Sequence, residues 1–183
     1  MTPEEKYIID ACRRNDPKAQ KRLYDKYAPM AFGVCLRYVP SFDEAQDVLQ
    51  EVFIKVFDGL GGLRNYEAIK AWICRIASRA AVNYLLALPH VEFVDISSPI
   101  FQDGLADMSI PEVPFDTDIF ESDSVLHALA CLPEKYRVIF NMLEVDDMSY
   151  SDVADTLGIN ESTARCYLSR AKKMLQEKLQ ETL

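Results

Sequence analysis

The chain has 183 residues, 49% of them hydrophobic, with a formal net charge of −9. That length admits one domain or two small ones, and the apolar content is ordinary for a globular fold. No apolar stretch reaches the roughly 20 residues of a membrane-spanning helix, and the opening MTPEEKYIIDACRR lacks the basic-then-apolar order of a secretion signal. The five cysteines, at 12, 35, 74, 131 and 166, are odd in number and form no C-x-x-C. They point to free thiols in a reducing cytoplasm, with Cys74 a core thiol, and away from a disulfide frame or a zinc site.

The first half reads as helix throughout. A first helix is expected from about Pro3 to Arg14. Asp16 followed by Pro17 is an N-cap before a favoured first helical residue, so a second helix starts there. It would carry Ala19, Leu23, Tyr27, Met30, Ala31 and Val34 inward. A third helix opens after Ser41 or Asp43, with Val48, Leu49, Val52, Phe53, Val56, Phe57 and Leu60 as a broad apolar stripe. Its outer face shows Asp47, Gln50, Glu51 and Ile54 at helical neighbour spacing. An acidic face with an exposed isoleucine suits a basic helical partner, although a merely solvated face has the same composition. Gly59, Gly61 and Gly62 break the chain into a loop ending near Tyr66. A last helix follows from about Glu67 to Leu88, with Ile69, Trp72, Ile73, Ile76, Ala80 and Tyr84 inward and Arg75, Ser78, Arg79 and Asn83 as a polar strip.

Charge is unevenly divided. Residues 1–89 hold 13 Lys and Arg against 11 acids, and residues 124–183 hold seven against nine. Residues 90–123 hold nine acids and no Lys or Arg, so the acidic excess sits there. This segment carries Pro99, Pro111 and Pro114 and lacks a helical period over most of its length. It is expected to be an extended linker, residues 90–121, between two helical domains, 1–89 and 122–183. Phe93, Ile96, Ile100, Phe101, Phe115 and Phe120 are more apolar surface than a spacer needs, which suggests that the linker docks on something.

Ser149 to Lys173 carries a helix-turn-helix pattern. Ser149 with Asp152 is a capping-box signal. Val153, Ala154 and Leu157 give an apolar stripe, Gly158 can take positive φ and end the helix, and Asn160 is a good N-cap for the next. In the second helix Ala164, Leu168, Ala171, Leu175 and Leu179 face the core, while Ser162, Arg165, Ser169 and Lys172 form a separate stripe flanked by Arg170 and Lys173. Such a unit lays its second helix in a DNA groove, so Ser162 and Arg165, near its start, are the expected readers of base edges. Lys172 and Lys173 are expected to meet phosphates. The competing reading is a solvated basic face on an ordinary helical hairpin.

These residues also carry a family resemblance. DEAQDVLQEVFIKVFDGL with YEAIKAWICRIASRAAVNYL resembles region two of bacterial sigma factors, and LPEKYRVIFNMLEVDDMSYSDVADTLGINESTARCYLSRAKKML resembles region four. The helix-turn-helix alone would also fit output domains of two-component regulators. The D-x-x-Q-E at Asp47, Gln50 and Glu51 and the A-W-x-x-x-I-A from Ala71 to Ala77 single out sigma. Two such regions with a short linker resemble the extracytoplasmic-function (ECF) group, over about residues 5–88 and 122–180.

The resemblance implies an all-α protein of two small domains that binds core RNA polymerase and directs initiation at promoter DNA. It implies that Asp47, Gln50, Glu51 and Ile54 meet the β′ clamp helices, and that region four meets the β flap and the duplex minus-thirty-five element. It implies that Arg64, Asn65, Tyr66, Arg75, Arg79 and Asn83 are candidates for capturing unpaired minus-ten bases, since flipped bases need apolar walls and a few polar readers. The acidic linker would thread a polymerase channel as a mimic of a polyanion, and an anti-sigma factor would hold the protein inactive. The family usually has Asn at Arg79 and Asp at Asn83, followed by basic residues. Here the helix ends Asn83-Tyr84-Leu85-Leu86-Ala87-Leu88 without a cation, so the contact of those following basic residues is not implied for this chain, while Arg79 and Asn83 stay candidates. Tyr167 stands where the family often has arginine, which implies one phosphate contact fewer.

Two other classes compete. An interaction protein would keep both domains without reading promoters. An enzyme would need chemistry that the spacing does not supply. Asp146-Asp147 and Asp47/Glu51 are adjacent carboxylates on expected surfaces, His90 and His127 stand apart, and no Ser-His-Asp set, phosphate loop or metal cluster is recognisable. The chain is therefore read as non-enzymatic and without a cofactor.

Overall fold

A computed structural model describes residues 2–89, 91, 93–94 and 123–181. The described residues are helical, with no strand among them, and the chain forms two compact units, Met1–Leu85 and Leu86–Leu183. Most of the acidic linker, including Ile96, Ile100, Phe101, Phe115 and Phe120, lies outside the described residues.

In the first unit, α1 (Pro3–Arg13) opens with a capping box. Glu5 N–H donates to Thr2 Oγ1 at 3.3 Å, and Thr2 N–H donates to Glu5 Oε2 at 2.8 Å. Two residues past its end, Asn15 takes a φ of 58° and turns the chain at once into α2 (Pro17–Tyr38). Asp16 caps α2 by accepting from Lys18 N–H (2.8 Å) and Ala19 N–H (3.3 Å). Pro29 sits inside α2 on an exposed position without ending it. Ser41 caps α3 (Phe42–Gly59). A short 3₁₀ turn, Leu60–Gly62, and another, Tyr66–Ala68, lead into α4 (Ile69–Leu86). The fourth helix therefore starts later than its periodicity suggests. The Asn65 carboxamide accepts from Glu67 N–H at 3.0 Å and holds the tighter turn.

The core of this unit is a seam to which all four helices contribute buried side chains, with α2 packed against both α1 and α3. Leu23, Ala31, Val34 and Tyr38 meet an interior shared with Val48, Val52 and Val56, and with Ile69, Ile73, Ala77, Ala80 and Ala81. Each fully buried Val, Leu or Ile contributes about 1.5–3 kcal/mol, so the seam fixes which face of α3 is left outside. Met30, Phe57, Trp72, Ile76 and Tyr84 are only half-buried. Ser78 does not join the polar strip. It is 5% exposed, and its hydroxyl is satisfied on the Cys74 carbonyl one turn back at 3.0 Å, which lets a serine sit among small apolar neighbours. A Cβ at Gly59 would lie 3.0 Å from the Trp72 ring, so the ring would have to give by a few tenths of an ångström to admit one.

In the second unit, α5 (Asp123–Ala130) and α6 (Glu134–Phe140) precede α7 (Tyr150–Leu157) and α8 (Glu161–Glu181), and α6 runs on through a π-type turn, Asn141–Val145. Arg137 is buried and ties the joint between α5 and α6 by donating to the carbonyls of Leu132 (2.7 Å) and Ala130 (3.3 Å). Ser149 Oγ accepts from Asp152 N–H at 3.1 Å and donates to its carboxylate at 2.6 Å. Gly158 ends α7 at φ 66°. Ala164, Leu168, Ala171 and Leu175 of α8 are buried against α6 and α7, and Leu179 is half-buried.

The first residues after α4 belong to this second unit. Val91 is buried, Phe93 packs edge-on against Tyr167 with ring centroids 6.1 Å apart, and the Tyr167 hydroxyl donates to the Val94 carbonyl at 3.2 Å. The expectation that the linker docks is thus met at Phe93.

Gly158→Ala is expected to cost about 1 kcal/mol, because a side chain at left-handed φ meets the carbonyl that follows. Urea unfolding followed by circular dichroism reads this as a lowered midpoint at unchanged slope, and an unmoved midpoint contradicts it.

Candidate nucleic-acid interface

The start of α8 is built around Asn160. Its Oδ1 accepts from Thr163 N–H (2.7 Å) and from the Ser162 hydroxyl (2.7 Å), so the cap and the first expected base reader are one local network. Arg165 is exposed one turn on. It pairs with Glu161 at 2.9 Å and lies 4.2 Å from the centroid of the Tyr150 ring on α7. An exposed ion pair of this kind is worth under about 1 kcal/mol, so it can exchange for a base or a phosphate. The ring contact, also worth about 0.5–1 kcal/mol, sets the guanidinium against the first turn of α7. Tyr150 was not among the expected site residues. An aromatic at the first position of α7 is the only hint the sequence holds.

The rest of the stripe is less uniform than its spacing implies. Ser169 and Arg170 are half-buried and Lys173 is exposed. Lys172 pairs with Glu144 of the π-type turn at 3.0 Å, with both side chains about a quarter exposed (23% and 22%). That pair sits across 28 positions of sequence, beyond what helical spacing reveals. Tyr167 is 2% exposed and stacks edge-on against Tyr136 as well as Phe93, with centroids 5.5 Å apart. It faces the interior, on the opposite side of α8 from Arg165.

In the first unit, Arg64 and Asn65 are exposed on the loop before α4. Tyr66 is half-buried, donating to Asp10 Oδ1 and accepting from Arg13, each at 2.6 Å. The hydrogen bond to Asp10 pushes its hydroxyl pKa up. Arg75, Arg79 and Asn83 are all exposed, one turn apart along α4. They share a face with the polar side of the helix but lie on a different element from Arg64 and Asn65.

On α3, Asp47, Gln50 and Glu51 are exposed, and Ile54 is 62% exposed, opposite the buried seam. Glu51 lies 3.5 Å from Lys55, a loose pair. Tyr84, near the end of α4, donates to Glu44 Oε1 at 3.0 Å, and that bond pushes its hydroxyl pKa up. The acidic start of α3 and the cation-free end of α4 are therefore joined.

Burial pushes the Cys12 thiol up to about 11 and the Cys35 thiol up to about 12, so both stay protonated at neutral pH and make poor nucleophiles. Among the described residues no cluster of three or more His, Cys, Asp or Glu side chains is arranged to hold a metal ion, and no helix is long and apolar enough to cross a membrane.

Comparison with known proteins matches both units. The family model for Sigma-70 region 2 covers residues 23–88, and that for Sigma-70, region 4 covers residues 122–175. The RNA polymerase sigma-H factor of Pseudomonas aeruginosa is 31% identical, over 98% of this chain and 96% of the relative. The ECF RNA polymerase sigma-E factor of Escherichia coli is 30% identical, over 94% and 93%. In fold, the chain is similar to the sigma factor RpoE of Bartonella quintana, solved with the anti-sigma factor NepR, with a TM-score of 0.50 and 20% identity over 87% of this chain and 96% of that one.

Tyr167→Arg tests the placement of that ring. An arginine there puts a cation among Tyr136, Phe93 and the core, so a loss of about 3 kcal/mol in thermal or urea stability is expected. A variant that keeps its stability and gains DNA affinity would show that the position faces the groove.

Proposed function

The chain belongs to the ECF sigma factors of bacterial RNA polymerase, and on that premise we propose how its surfaces divide the work. As a member of this family it binds core RNA polymerase, recognises promoter DNA and directs initiation. It is not an enzyme. The polymerase performs the catalysis. A two-region match leaves no support for an interaction protein that ignores promoters.

Residues 122–183 read the duplex minus-thirty-five element through α8. Ser162 and Arg165 reach base edges, and Ser169, Arg170, Lys172 and Lys173 contact phosphates. The observation that carries this reading is the solvent-facing Arg165 on a capped second helix whose opposite face is buried. Lys172 must first exchange Glu144 for a phosphate. Residues 1–89 bind the β′ clamp helices through Asp47, Gln50, Glu51 and Ile54, where carboxylates opposite basic helices steer docking. Arg64, Asn65 and Tyr66 with Arg75, Arg79 and Asn83 receive the minus-ten strand. Region four also rests on the β flap, and residues 90–121 thread a polymerase channel. The protein acts in the cytoplasm, and an anti-sigma factor covering both units is its regulator, as the Bartonella quintana relative is bound by one.

Charge sets the conditions. Residues 1–89 carry a net charge of only +2 and residues 124–183 one of −2, so DNA binding by the free protein is weak and salt-sensitive. Useful affinity arises when polymerase holds both units over one promoter and the second contact becomes intramolecular.

Run-off transcription with purified core polymerase and a genomic promoter library is expected to give discrete start sites. Arg165→Ala is expected to lower initiation about tenfold at those promoters, from 1–3 kcal/mol of lost base discrimination, while core affinity stays unchanged. Asp47→Lys with Glu51→Lys is expected to abolish core binding in a pull-down. Initiation that survives both sets of substitutions contradicts the division proposed.

A further inference from the structure

Arg13 lies on α1, ten residues before the region-two match begins at residue 23. Nothing in its local sequence marks it, yet it holds the loop before α4 at three points. Its Nε donates to the Leu60 carbonyl at 3.1 Å, one terminal nitrogen donates to the Leu63 carbonyl, and the other donates to the Tyr66 hydroxyl at 2.6 Å. The same nitrogen pairs with Asp10 at 3.2 Å, and Asp10 accepts the Tyr66 proton. The guanidinium also lies 4.9 Å from the Tyr66 ring centroid. Lys6 lies 5.3 Å from that ring.

The consequences are geometric. Leu60 and Leu63 are buried anchors, while Gly61, Gly62, Arg64 and Asn65 between and beyond them are exposed. A loop with three glycines from 59 to 62 is costly to order, since glycine loses the most backbone freedom. One planar, always-charged group with five donors can fix both carbonyls and the tyrosine at once, which a lysine cannot.

We propose that Arg13, with Asp10 behind it, is a positioning residue for promoter opening: it holds the Leu60–Tyr66 loop so that Arg64 and Asn65 stand ready for unpaired minus-ten bases beside a fixed Tyr66 ring. This rests on the reading that the loop receives the minus-ten strand. Arg13 itself touches no base. It lowers the ordering cost that the loop would otherwise meet on binding DNA.

The test uses reconstituted holoenzyme and a fluorescent single-stranded oligonucleotide of the non-template minus-ten strand. Tyr66→Ala and Arg64→Ala first test the underlying reading: each is expected to weaken oligonucleotide binding, and if neither does, the loop is not the strand site and this inference falls with that reading. Given that, Arg13→Ala is expected to weaken oligonucleotide binding roughly tenfold, the worth of a charge-assisted hydrogen bond. Core affinity is expected to hold. Arg13→Lys is expected to restore little of the loss, because it cannot span both carbonyls. Arg13→Ala combined with Tyr66→Phe is expected to be no worse than Arg13→Ala alone, as for two ends of one tie. Undiminished strand binding by Arg13→Ala overturns the proposal while leaving the loop reading intact. An equal fall in core affinity also overturns it, by assigning Arg13 to the fold of the whole unit and not to the loop.

Discussion

Everything in the second unit depends on the burial of one face of α8. With Ala164, Leu168, Ala171 and Leu175 packed against α6 and α7, the helix cannot rotate about its axis without exposing several apolar side chains. That constraint, and not the basic residues themselves, turns Arg165 and Ser162 outward. It also turns Tyr167 inward, where its ring and hydroxyl hold Phe93 and Val94. The same helix is thus a wall of the core, a seat for the chain that follows α4, and the surface proposed for DNA.

The first unit works by the same logic with opposite charge. Burial of the Val48, Val52 and Val56 face of α3 decides that Asp47, Gln50, Glu51 and Ile54 are left in solvent. On the proposed division, the carboxylates of α3 suit basic protein helices, and the guanidinium and ammonium groups of α8 suit phosphates and bases. The overall charge of −9 conceals this, because the nine acids of residues 90–123 account for the excess. A chain so acidic does not hold DNA by bulk attraction. Polymerase, on the proposed division, brings two modest contacts onto one promoter.

How much of this was legible in the sequence follows from the range of the interactions. Local signals were readable because they act within a turn: Asp16-Pro17, Ser41, Ser149, Gly158 and Asn160 all sit at the helix ends that their chemistry demands. The stripes of α3 and α8 were readable because burial imposes their period. Ser78 misled, because its polarity is cancelled by a carbonyl four residues back that no pattern displays. Lys172 with Glu144, Arg165 with Tyr150, and Arg13 with Tyr66 were not readable, since each joins elements brought together only by the fold. The candidate site was legible as a list of surface residues, but not as a set of side chains already engaged with one another.

The central claim is that α8 meets duplex DNA while α3 meets polymerase. A photoreactive amino acid placed at position 165, and separately at position 54, in the holoenzyme bound to a promoter it initiates from, tests this most directly. The account predicts crosslinks from 165 to duplex DNA near minus thirty-five and from 54 to the largest polymerase subunits. Position 165 crosslinking to polymerase protein alone, or position 54 to DNA alone, would contradict it.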